Sequence, residues 1–95
     1  MAGSANDVPD GYERIVVETA RHEADGGIVI TYTGRIFGGI LKELLSPGVA
    51  DAIRPGAELF IRYAEEAAVA RRQVVHVIMR HPHGDGWAEL YADWE

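Results

Sequence analysis

Val74-Val75-His76-Val77-Ile78-Met79-Arg80 is the stretch whose reading decides the fold. Valine and isoleucine dominate it, and β-branched side chains fit a pleated, packed surface better than a helix. Its apolar side chains also fall on both faces of an extended chain. A segment covered on both sides belongs in the middle of a sheet or barrel. The residues on either side agree. His81-Pro82-His83-Gly84-Asp85-Gly86 combines proline, glycine and aspartate, each suited to a turn for its own reason. Trp87 to Trp94 then alternates as a last strand, with Ala88, Leu90, Ala92 and Trp94 on one side and Trp87, Glu89, Tyr91 and Asp93 on the other.

Upstream, Ala57 to Tyr63 reads as a third strand, with Leu59, Ile61 and Tyr63 alternating against Glu58 and Arg62. Phe60 breaks that split and implies cover on both faces. Between it and Val74, Ala64 to Gln73 mixes high helix propensity with an apolar content that is mostly alanine. A long, bent hairpin arm is the favoured reading, a helix the other.

Tyr12 to Glu23 reads as one strand, carried by Ile15, Val16 and Val17. Ala24-Asp25-Gly26-Gly27 follows as a tight hairpin signal, because aspartate and glycine tolerate positive φ. Ile28, Ile30, Tyr32 and Ile36 share one face of the second strand, with Thr31, Thr33 and Arg35 on the other. A loop of two or four residues would set Ile15 near Ile36, and a loop of three would set Val16 there. From Phe37 the spacing Phe37, Ile40, Leu41, Leu44, Leu45 predicts a helix, with Lys42 and Glu43 opposite. Ser46 and Pro47 suit the cap and first position of a second short helix, with Val49 and Ile53 facing inward. Arg54-Pro55-Gly56 closes that segment as a turn.

The order is strand, strand, one or two short helices, then three strands. The predicted class is α+β with β dominant: a small antiparallel, partly open barrel of SH3-like or OB-like size, with a helical plug. An OB-fold sets its helix between strands three and four, whereas here it follows strand two. Residues 1–11 read as a flexible leader ended by the Pro9-Asp10-Gly11 turn, and 12–95 as a single domain.

Composition narrows the function. The chain has 95 residues, a net charge of −6 and no cysteine. Thiolate catalysis, disulfides and cysteine-ligated metals are excluded, and a reducing, cytoplasmic compartment is the simpler expectation. No run approaches the ~20 apolar residues of a membrane span, and the N-terminus lacks a signal-peptide pattern. The acidic balance argues against general nucleic-acid binding and suits a protein partner.

Four histidines raise the question of a metal. His81 and His83 flank Pro82, with Asp85 two residues on, but the segment is a turn and a third ligand would have to come from His22 or His76. A solvated turn is the preferred reading, and no cofactor is expected. His76 on its strand reads as a part-buried, hydrogen-bonded residue rather than a catalytic base. Gly38-Gly39 before a helix could present N–H groups to a phosphate, yet no Gly-Lys-Ser/Thr follows and a plain turn suffices. A small hydrolase or metal-dependent enzyme on His76, His81 or His83 is accordingly the least favoured class.

The favoured site is the outer face of the last strand, where Trp87 and Tyr91 are bracketed by Glu89 and Asp93. Aromatic residues rimmed by charge are enriched in protein interfaces. A terminal strand can also add a partner's strand, or a second copy's, to its edge. The predicted function is a non-enzymatic protein-interaction or regulatory module. A second class is a small-ligand or single-stranded nucleic-acid binder, with Arg62, Arg72 and Arg80 as anion contacts and the aromatics as stacking platforms.

Overall fold

The computed structural model describes residues 8–42, 48–64 and 73–93. Its elements are β1 (Glu13–Val16), β2 (Thr19–His22), β3 (Gly27–Tyr32), β4 (Arg35–Leu41), α1 (Val49–Ala52), β5 (Glu58–Tyr63), β6 (Val74–Arg80) and β7 (Trp87–Ala92). They form two antiparallel sheets, ordered β1-β5-β6-β7 and β2-β3-β4. β6 lies between β5 and β7, as its two-sided apolar pattern requires. Among the described residues no ladder joins the two sheets, so they do not close into a barrel.

The stretch expected to be one strand from Tyr12 to Glu23 is two. Val17 N–H donates to Ala57 O at 2.9 Å, whereas Glu18 N–H donates to Thr31 O at 2.7 Å. Between these residues the chain leaves one sheet and enters the other. Ile15 therefore pairs with Leu59, and the expected approach of Ile15 or Val16 to Ile36 does not occur.

The hairpin at Ala24-Asp25-Gly26 forms as read. Gly26 takes φ 96°, and Asp25 Oδ1 accepts from Gly27 N–H at 2.9 Å. A second hairpin at Thr33-Gly34 was not anticipated. Both residues have positive φ, 46° and 78°, the pattern of a type I′ turn. Two loop residues reverse the chain, so Tyr32 pairs with Arg35 and Thr31 with Ile36. Ile28, Ile30 and Tyr32 are buried, but Ile36 shares the outer face with Thr31 and is 75% exposed.

The helix expected from Phe37 is contradicted over residues 37–41, which belong to β4; residues 43–47 lie outside the described residues. The three-residue spacing from Phe37 to Ile40 arises instead from a bulge. Ile28 pairs with Ile40 and Ile30 with Phe37, so β4 carries one extra residue at Gly38-Gly39. The bulge returns both side chains to the core side, as a helical turn would. Among the described residues the element order is thus four strands, a short helix and three strands.

α1 is a single turn with Val49 and Ile53 buried. Gly48 at φ 86° is its N-cap; Ser46 and Pro47, expected as the cap and first position of a short helix, lie outside the described residues. Arg54-Pro55-Gly56 turns with Gly56 at φ 95° and Ala57 N–H donating to Arg54 O at 3.0 Å. β5 and β6 pair antiparallel, and Ala64 N–H donates to Gln73 O at 2.8 Å; the choice between arm and helix for 65–72 lies outside the described residues. The core between the sheets is made by Ile28, Ile30, Ile40, Ile53, Leu59, Ile61 and Val77, all fully buried.

Candidate functional site

Residues paired directly across an antiparallel ladder point to the same side of the sheet. In the four-stranded sheet Arg14 pairs with Phe60, Phe60 with Ile78, and Ile78 with Glu89. Arg62 pairs with His76, and Arg80 with Trp87. Leu59, Ile61, Val77 and Met79 occupy the alternate positions and face the core. The outer face of this sheet therefore carries arginines, two aromatics, a histidine and a glutamate.

Trp87 sits at the start of β7 and is 42% exposed. Its ring meets the Phe60 ring edge-on at 5.2 Å and 85°, while the Arg80 guanidinium lies 4.7 Å from its centroid. Both contacts fix the indole. Edge-to-face pairing and cation–π attraction each contribute about 0.5–1.5 kcal/mol at such sites. Phe60, the residue that broke the strand's alternation, is the buried support of this cluster at 2% exposure.

Tyr91 is not beside Trp87. Val77 pairs with Tyr91 but Ile78 with Glu89, so β7 has one extra residue at Leu90. The strict alternation read from the sequence fails at that bulge. Beyond it Tyr91 turns toward the core and Ala92 toward solvent. The Tyr91 ring meets Phe37 of β4 edge-on at 5.1 Å. Burial, and then the Asp93 carboxylate beside it, push the Tyr91 phenol above its ordinary pKa. Asp93 itself is anchored, its N–H donating to Val75 O at 2.8 Å and its carboxylate accepting from Gln73 Nε2 at 3.3 Å. Of the four residues expected to form one surface, Trp87 and Glu89 share the outer face, whereas Tyr91 and Asp93 belong to the opposite end of the strand. A groove of about 300 Å3 lies at the second part of β7, lined by Glu89, Leu90, Tyr91 and Ala92.

Glu89 has a partner the sequence did not suggest. Its Oε2 accepts from His76 Nε2 at 2.7 Å, and Tyr12 Oη lies 2.5 Å from His76 Nδ1. The three residues are far apart in sequence and come from the segment entering β1, from β6 and from β7. A neutral imidazole satisfies both contacts at once, donating from Nε2 to the carboxylate and accepting the phenol proton at Nδ1. They meet diagonally across the strands, His76 being paired in register with Arg62 and Ala92, which is why no local motif announced them.

The other candidates are separate. His83 N–H donates to His81 Nδ1 at 3.2 Å, so the His-Pro-His turn is closed upon itself. His22 Nε2 donates to Ile53 O at 3.4 Å. Among the described residues no three histidine, aspartate or glutamate side chains come together as metal ligands, Asp85 included. Gly38-Gly39 lies within β4, not before a helix, so the phosphate-cradle expectation loses its setting. Arg62 and Arg80 share the outer face with Trp87, and Arg72 lies outside the described residues. No helix among the described residues is long and apolar enough to cross a membrane. No family model, curated protein or solved structure matches the chain.

Proposed function

We propose that this chain is a non-enzymatic protein-interaction or regulatory module that docks through β7 and the outer face around Trp87, with a second copy of the chain as the first partner to test. The observation that carries this reading is an indole left 42% exposed yet held by Phe60 and Arg80. An aromatic already fixed in place loses little freedom on binding, which is what makes an anchor effective. β7 adds a second argument, because β6 is its sole pairing partner among the described strands and a groove is lined by its residues Glu89 to Ala92. Light scattering after size exclusion is expected to give a mass rising toward two chains with concentration. Trp87→Ser is expected to weaken that association by about tenfold or more. A mass of one chain at every concentration, unchanged by Trp87→Ser, would remove self-association.

The second reading, single-stranded nucleic-acid or small-ligand binding, rests on Arg80 stacked on Trp87 with Arg62 on the same face. It predicts salt-sensitive binding of oligonucleotides, and absence of binding at low salt removes it. A partly open barrel of SH3-like or OB-like size belongs to both readings. Its support is the approach of β4 to β7 through Phe37 and Tyr91, across the open seam between the sheets. A cytoplasmic location suits a chain without cysteine.

A further inference from the structure

The chain Glu89–His76–Tyr12 has the arrangement of an activated nucleophile: a hydroxyl on a base, and the base oriented by a carboxylate. We propose that Tyr12 is a base-activated phenol and the acceptor site of this protein for an electrophilic acyl, sulfonyl or phosphoryl group supplied by an activated donor. His76 is held on both sides, with its side chain 12% exposed, so Nδ1 stays directed at Tyr12 Oη. Glu89, 59% exposed, is a positioning residue: accepting from Nε2, it favours the tautomer whose Nδ1 accepts from Tyr12 Oη. Tyr12 itself is half-buried, not enclosed in the core. Arg62, the cross-strand partner of His76, adds a cationic residue to the same face of the sheet.

In the transfer step a bond forms between Tyr12 Oη and the electrophilic centre. The bond from that centre to its leaving group breaks, and the electron pair departs with the leaving group. The phenol proton passes to His76 Nδ1, and the resulting imidazolium keeps its Nε2–H on the Glu89 carboxylate. The other described tyrosines are less suited. Tyr32 and Tyr63 bond to each other, and burial raises the phenol pKa of Tyr32 and Tyr91 above the ordinary value. Tyr12 lies on the same sheet face as Trp87, so a group added there would stand on the proposed docking surface.

An aryl sulfonyl fluoride, which loses fluoride on reaction with a phenol, is the probe. Its rate at each tyrosine is followed by peptide mass mapping against N-acetyltyrosinamide at the same pH. Tyr12 is expected to react about 10- to 100-fold faster than the free amide, toward the lower end of what a positioned base supplies. Glu89→Gln and His76→Ala are expected to bring the rate close to that of the amide, with Glu89→Asp retaining most of it. Added imidazole should restore labelling in His76→Ala, which a purely structural loss would not permit. Glu89 is exposed, so Glu89→Gln leaves a folded protein even if His76→Ala does not. A wild-type Tyr12 rate no higher than that of the amide overturns the proposal, as does a fast rate unchanged by Glu89→Gln.

Discussion

Gly39 shows how much one residue can decide here. A Cβ at this position would lie 2.8 Å from Phe37 Cζ and 2.9 Å from Tyr91 Cε1, closer than carbon atoms approach. The two rings that meet across the seam between β4 and β7 do so over a backbone with no side chain. Gly39→Ala is expected to destabilise the fold by about 1–3 kcal/mol, the usual penalty of forcing extra volume into packed side chains. Urea denaturation checks it, and a change below about 0.5 kcal/mol would show that the rings can move apart without cost. In the sequence the adjacent glycines read as a plain turn before a helix. Their actual role was not visible there, because it depends on Tyr91, more than fifty positions later.

Among the elements, the β3–β4 hairpin contains the clearest departure from local preference. Thr33 is a β-branched residue held at φ 46°, where branching at Cβ crowds the backbone. Asn-Gly is the dipeptide such a turn favours. Thr33→Asn is therefore expected to stabilise the protein by up to about 1 kcal/mol, seen as a higher thermal midpoint. An unchanged or lowered midpoint would mean that Thr33 makes a compensating contact. This turn also explains why the sequence misled at Ile36. Thr-Gly is a weak hairpin signal beside Asp-Gly, and without a reversal the alternation from Ile28 runs on in phase to Ile36. The same lesson holds at the bulges. Ala57 to Tyr63 and Val74 to Arg80 were legible because alternation holds over most of their ladder, with Leu59, Ile61, Val77 and Met79 facing the core; it slips only at Val75, where β6 carries one extra residue. Phe37 to Leu41 and the end of β7 were not, since one inserted residue turns a period of two into a local period of three. Trp87 could be placed from alternation because it precedes the bulge at Leu90; Tyr91 follows it and could not.

At the scale of the whole molecule, the two sheets are tied together by a polar bridge as well as by their common core. Tyr32 of β3 and Tyr63 of β5 bring their hydroxyls to 3.2 Å. Burial, and after it the bond to Tyr63, raises the pKa of Tyr32 well above the ordinary tyrosine value. A group whose folded pKa is raised contributes stability in full below its unfolded value of about 10; the contribution declines above that pH and is lost through the folded pKa. Stability is thus expected to decline as pH rises above about 10, and Tyr32→Phe should flatten that decline in alkaline denaturation followed by circular dichroism. An equally steep alkaline limb in Tyr32→Phe would assign the effect to other groups.

The bend at Val17-Glu18 makes one ribbon the common property of both sheets, and this bears on how the chain can be made. During synthesis β2, β3 and β4 emerge as a meander whose pairings are all local. Ile15, on the same ribbon, has its ladder partner at Leu59, so its apolar side stays open until the second half of the chain has left the ribosome. The first half is therefore born with an unfinished edge. Only the arrival of β5 completes it.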